Sequence, residues 1–130
     1  MDKLRADRLT PVELAFIGDA VHTLYMRERV LASNDGVVGT LHTAVARQVN
    51  AQAQAVVYDE LVKRGEFTEA EADAARRAKN AHLHSRAKSA SSTDYHKATA
   101  LEAVIGYVHT QGDCEREKRL LDLCAEIGGL

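Results

Sequence analysis

Leu14, Ile17, Val21, Leu24 and Tyr25 recur three or four residues apart, the spacing of one face of an α-helix. Thr10-Pro11-Val12-Glu13 stands just ahead of them. The threonine is a cap, the proline is tolerated in a first turn, and Glu13 completes a capping box with Thr10. The pattern predicts a first helix from Thr10 to about Leu31, then a turn at Asn34-Asp35-Gly36. A second helix is expected over Thr40–Val49. A third, rich in alanine and glutamine, runs from about Asn50 to Arg64 and ends with Gly65 in the C′ position.

Thr68-Glu69-Ala70-Glu71 repeats the capping-box logic and opens a fourth helix that continues to about Lys79. Ala81–Thr93 is rich in serine, alanine and basic residues with weak periodicity, and it reads as a loop or frayed helix. A fifth helix is expected over about Asp94–Thr110, burying Ala98, Leu101, Ile105 and Val108. Gly112-Asp113 breaks it, and a last helix carries Leu120, Leu121, Cys124 and Ile127 to Gly128. No stretch alternates with the period of a strand. The fold class is all-α: one helical bundle, with no internal repeat and no second domain.

Composition agrees with one core. The chain has 130 residues, 45% of them apolar and 28% charged, which suits a single globular domain. Uncharged runs such as Val37–Ala46 and Ala103–Gly112 extend ten residues, and none approaches the roughly 18 of a membrane span. Met1-Asp2-Lys3-Leu4-Arg5 contains no apolar signal segment, so a cytoplasmic location is expected. Cys114 and Cys124 match no zinc spacing and read as reduced, structural thiols.

The net charge of −2 suggests no polyanionic partner, but the charge is unevenly spread. Between Arg76 and Lys97, six basic residues (Arg76, Arg77, Lys79, Arg86, Lys88, Lys97) face one acid, Asp94. That segment is +5 and the remainder is −7. His82, His84 and His96 fall inside it too. Such a block is either an interaction element for phosphates or another anionic surface, or a solvated loop with ordinary surface charges.

Two carboxylates stand where helix packing would not put them. Asp19 interrupts Leu14-Ala15-Phe16-Ile17-Gly18-Asp19-Ala20-Val21, and Glu102 interrupts Ala98-Thr99-Ala100-Leu101-Glu102-Ala103-Val104-Ile105-Gly106. An ionised, unpaired acid in such a run costs several kcal/mol, so it faces solvent, a cation or a metal. Gly18 and Gly106 lie close to these acids, where a helix interior favours alanine by about 1 kcal/mol. Glycine there permits close approach of two helices. If the first and fifth helices cross at these points, Asp19 and Glu102 could share one ion, and oxygen-only ligation favours Mg²⁺ or Mn²⁺ over zinc. The competing reading is a salt bridge from either acid to an arginine such as Arg27 or Arg47. His22, one turn after Asp19, could support that acid from behind, but the commoner reading, for His42 and His109 too, is a satisfied core or rim histidine outside the site. No Ser-His-Asp or Cys-His set and no GxxxxGK[ST] phosphate loop is present.

The Leu14–Val21 stretch resembles the signature helix of ribonuclease III catalytic domains, and Thr99–Gly106 resembles their second acidic helix. Arg76-Arg77-Ala78-Lys79-Asn80-Ala81, and the segment from Leu41-His42 through Ala51-Gln52-Ala53-Gln54-Ala55, resemble more particularly the Mini-ribonuclease III branch, which consists of a catalytic domain alone. The resemblance spans about residues 11 to 123. It implies an all-helical endoribonuclease domain, active as a homodimer, that cleaves double-stranded RNA with Mg²⁺ (or Mn²⁺) and leaves 5′-phosphate and 3′-hydroxyl ends. Members of this branch mature the 23S ribosomal RNA precursor in the bacterial cytoplasm. Asp19 then falls on the family's catalytic aspartate and Glu102 on its catalytic glutamate, both serving as metal ligands.

This chain departs from full-length ribonuclease III at Ala15 and Thr99, where further acids are expected. A double-stranded-RNA-binding domain is not expected beside the catalytic one, which gives the basic block a role. Arg76, Arg77, Lys79, Arg86, Lys88 and Lys97 would position the RNA backbone, and Asn80 would contact sugar or phosphate. Phe16 and Tyr25 on the first helix are candidates for the dimer interface. Two rivals stand beside this reading: a non-catalytic double-stranded-RNA-binding module on the same fold, and a helical interaction protein whose basic block docks on an acidic protein.

Overall fold

The computed structural model describes residues 7–33, 38–81 and 92–130. Among them are six helices and no strand: α1 Pro11–Ser33, α2 Val38–Val49, α3 Ala51–Lys63, α4 Glu69–Ala81, α5 Ser92–Gln111 and α6 Cys114–Ile127. The all-α expectation holds. Both capping boxes form. The Thr10 and Glu13 N–H groups exchange bonds with each other's side chains at 2.9 and 3.1 Å, and Thr68 and Glu71 do the same at 3.0 and 3.2 Å. Asn50 caps α3 through Ala53 N–H, and Asp113 caps α6 through Arg116 N–H. Gly65, at φ +66°, takes the left-handed turn that ends α3.

Some boundaries differ from the expected ones. α4 reaches Ala81, and α5 begins at Ser92 rather than Asp94. Ser92 and Thr93 join it because their short polar side chains suit a first helical turn as well as a loop. The expected turn at Asn34-Asp35-Gly36 and residues 82–91 of the expected loop lie outside the described residues.

α5 is the central helix, packed chiefly against α1 and then against α4 and α3. Its expected core positions Ala98, Leu101, Ile105 and Val108 are buried, and so are Thr99, Ala100, Ala103, Val104 and Gly106. A helix buried on nearly every side is apolar on nearly every side. The hydroxyls of Thr99 and Thr110 donate back to Tyr95 O and Gly106 O, each at 2.9 Å, so neither is left unsatisfied.

α1 turns a different face to the core than its bulkiest residues suggest. Leu14, Ala15, Gly18, His22, Met26 and Val30 are buried, whereas Leu24 is exposed and Ile17, Val21 and Tyr25 are only half-buried. The small residues Ala15 and Gly18 allow α1 to approach α5 closely, and the face with the larger side chains is turned away. Val12, Phe16, Leu24 and Leu31 consequently remain exposed.

α6 closes the bundle through Leu120, Leu121 and Cys124. Burial pushes the Cys124 thiol up to about 12, which makes it inert and agrees with a structural role. Arg116 ties α6 to the start of α4: its guanidinium donates to both oxygens of buried Glu71 at 2.9 and 2.7 Å and to Glu66 O at 2.9 Å. Leaving Glu71 buried without this partner would cost several kcal/mol.

Candidate active site

α1 and α5 touch backbone to backbone. A Cβ built on Gly18 would overlap Glu102 O, and one on Gly106 would overlap Leu14 O. No other residue fits either position without separating the helices. Asp19 follows Gly18 directly, and Glu102 is itself the residue whose carbonyl Gly18 meets. The crossing therefore brings the two acids to one place from positions 83 residues apart in the chain.

Their carboxyl groups come within hydrogen-bonding reach of one another. Asp19 is exposed and Glu102 is half-buried, so the pair is open to solvent on one side. Burial, then the neighbouring Asp19 charge and hydrogen bond, push the Glu102 carboxyl up to about 8. Glu102 thus retains its proton at neutral pH. Among the described residues neither acid has a salt bridge, to Arg27, Arg47 or any other base. Two crowded carboxylates without a counter-charge are a donor set for a hard divalent cation such as Mg²⁺ or Mn²⁺.

The site is sparse. Among the described residues no group of three or more acids, histidines or cysteines converges. Ala15 and Thr99, where full-length ribonuclease III would carry acids, are both buried against neighbouring helices.

Two further polar side chains lie close by. Gln54 of α3 is 2% exposed and donates from Nε2 to Val49 O at 2.7 Å and to Glu102 Oε2 at 3.4 Å, while its Oε1 is buried without a partner. Reading the sequence for acids and bases overlooks it, because only its place inside an alanine-rich helix marks it. His22 sits one turn after Asp19, 1% exposed. Burial, outweighing the Asp19 charge, lowers it to about 4, and its Nδ1 has no partner. The expected core position holds, but the expectation of a satisfied histidine does not: among the described residues nothing bonds its Nδ1.

The basic block is less free than its sequence suggests. Arg76 and Arg77 both bond Asp73, at 2.6 and 3.1 Å, and Lys97 bonds Asp59 at 2.9 Å. Asp73 stands one turn before the two arginines on α4, and folding brings Asp59 of α3 to Lys97. These exposed pairs are individually weak and exchangeable for phosphate. The Lys79 ammonium lies 5.6 Å from the Tyr58 ring centroid. Lys79 and Lys97 therefore meet α3 at Tyr58 and Asp59, about one turn beyond Gln54. Asn80 is exposed near the end of α4. Arg86 and Lys88 lie outside the described residues.

The Tyr25 hydroxyl is engaged within the chain. It donates to Asp122 and accepts from Arg29 at 2.7 Å, tying α1 to α6. Phe16, by contrast, is 78% exposed. No helix among the described residues is long and apolar enough to cross a membrane.

The chain is similar to known proteins along most of its length. The model of the Ribonuclease III domain family matches residues 12–113, a stretch that includes both acids. Mini-ribonuclease 3 of Thermoanaerobacter sp. is 38% identical, over 92% of this chain and 82% of that protein. Mini-ribonuclease 3 of Symbiobacterium thermophilum is 37% identical, over 92% and 90% respectively. The crystal structure of a Fusobacterium nucleatum protein aligns with a TM-score of 0.81 at 30% identity, over 95% of this chain and 96% of that one. With a ribonuclease III domain over most of its length and relatives of this kind along nearly all of it, the chain belongs to the ribonuclease III family, in its Mini-ribonuclease 3 branch.

Proposed function

We propose that the chain is an endoribonuclease that cleaves double-stranded RNA by Mg²⁺-dependent phosphodiester hydrolysis. Its substrate in this reading is the 23S ribosomal RNA precursor, in the cytoplasm. The observation that carries the proposal is the meeting of Asp19 and Glu102 at the Gly18–Gly106 crossing, with no base to neutralise them among the described residues.

Asp19 and Glu102 would hold the divalent ion. Such an ion supplies Lewis-acid stabilisation of charge on a phosphate and lowers the pKa of a water. The chain contributes the rest. The glycine crossing holds the two carboxylates at a fixed separation, and the half-buried Glu102 limits water on the inner side. Arg76, Arg77, Lys79, Asn80 and Lys97, with Arg86 and Lys88, position the RNA backbone by exchanging Asp73 and Asp59 for phosphates. Duplex RNA is held mainly by shape and backbone contact, which suits such a set of cations.

A homodimer supplies two such sites, one for each strand. The exposed stripe Val12, Phe16, Leu24 and Leu31 on α1 supports it, because an apolar face of that kind is an association surface. Phe16 is the central contact in this reading, and Tyr25 is left out of it.

The replaced acids, Ala15 and Thr99, favour a second reading in which the fold binds duplex RNA without cutting it. The two separate on one assay: duplex RNA with Mg²⁺, wild type against Asp19→Ala and Glu102→Ala. The expected result is cleavage by wild type and a loss of about 10³-fold or more in each variant. Binding without cleavage by wild type would favour the second reading. Equal cleavage by all three would remove both acids from the site.

A further inference from the structure

Gln54 occupies a position that packing alone would give to an aliphatic residue. Its neighbours on the buried side of α3 are Ala55, Val57, Tyr58 and Leu61. A buried amide in such a place costs free energy unless its bonds are made. Half of them are. The side-chain amide meets Val49 O at 2.7 Å, and a carbonyl oxygen can only accept, so the atom facing it must be the NH₂ group. The second proton of that NH₂ is then the one directed at Glu102 Oε2, 3.4 Å away. Val49 is the last residue of α2, where carbonyls lose their helical donors. Gln54 satisfies that carbonyl and in doing so is fixed in the orientation that faces Glu102.

We propose that Gln54 is a positioning residue, holding the Glu102 carboxylate in the rotamer that receives the divalent cation. The inference rests on the metal-binding reading given above. The 3.4 Å separation is longer than the usual roughly 2.7–3.2 Å, so the contact orients Glu102 without locking it. The other amide atom, Oε1, is a buried acceptor without a partner among the described residues. A methionine or leucine at this position would fill similar space and leave no such acceptor, so packing does not account for the glutamine. Groups that orient a metal-binding side chain commonly contribute about 10- to 100-fold in metal affinity.

The test compares wild type, Gln54→Met, Gln54→Leu and Asp19→Ala. Mn²⁺ affinity is measured by electron paramagnetic resonance of free Mn²⁺, kcat and KM on a duplex RNA at saturating Mg²⁺, and folding by thermal melting. The expected result is Mn²⁺ binding at least about 10-fold weaker in the Gln54 variants, with kcat reduced and KM for RNA unchanged. Two substitutions are used so that one which does not fold leaves the other to read. A lowered melting temperature with wild-type Mn²⁺ affinity would mean that Gln54 only caps α2, and would overturn the proposal. Mn²⁺ binding that is strong in wild type and equally strong in Asp19→Ala would instead overturn the metal reading, and the role of Gln54 with it.

Discussion

Gly18 and Gly106 pack so closely that a Cβ on Gly18 would lie 2.9 Å from Gly106 N, and one on Gly106 would lie 3.1 Å from Gly18 N. The nearest obstacles are closer still and are main-chain carbonyls, which cannot move aside as a flexible side chain does. Overpacking a core usually costs about 1–3 kcal/mol, and a clash of backbone with backbone falls at or above the upper end. Gly18→Ala and Gly106→Ala should each destabilise the fold by about 3 kcal/mol or more. Urea unfolding checks this, and a cost below about 1 kcal/mol would mean that the helices are not in such contact.

Glu102, raised to about 8, must lose its proton before a cation can replace it. Binding of Mn²⁺ at pH 7 should therefore release about one proton, and affinity should climb roughly tenfold per pH unit until about pH 8. Calorimetry in two buffers of different ionisation enthalpy counts the protons. For the protein alone the sign is opposite: the raised pKa favours the fold at low pH, and that contribution fades as pH rises through about 8.

His22 works the other way. Its folded pKa, about 4, lies below its ordinary 6.5, so the unfolded chain binds the extra proton. The contribution of neutral His22 is fully present above about pH 6.5 and is lost as pH falls from there through 4. The loss is on the order of 3 kcal/mol at its limit. Stability measured by urea between pH 7 and 4 should fall less steeply in His22→Leu than in wild type. Parallel curves would show that His22 is not buried neutral.

Asp73 holds both Arg76 and Arg77, so under the proposed function it would compete with RNA for them. Asp73→Asn should tighten duplex binding and steepen its salt dependence, while Lys97→Ala should weaken binding and reduce the log–log salt slope by about one. Filter binding at several salt concentrations measures both. Unchanged slopes would take these residues off the RNA surface.

Phe16 is too exposed to support the fold of one chain. Phe16→Glu should leave helicity and melting of the monomer nearly unchanged yet shift the molecule from dimer to monomer in light scattering. A dimer that survives the charge would move the interface elsewhere on the surface.

Local rules carried the helices. Thr10, Glu13, Thr68, Glu71, Asn50 and Asp113 cap their helices by bonds that reach only three residues, and a signal confined to one turn can be read from one turn of sequence. Asp19 and Glu102 stood out for a similar reason, as acids in apolar runs with a glycine close by. The faces of α1 were less legible. Periodicity ranks residues by hydrophobicity, whereas the contact with α5 selected small ones, so Ala15 and Gly18 went inward and Leu24 outward.

What only the folded chain decided lies between elements. The sequence by itself determined an all-α chain, its caps and its two misplaced acids, because each follows from neighbours a few residues away. Tertiary structure decided that Gln54 faces Glu102, that Asp59 answers Lys97, and that His22 is enclosed without a partner for Nδ1 among the described residues. Partners on different helices depend on crossing geometry, and burial depends on which helices pack around a residue. Neither is encoded in any single stretch of chain.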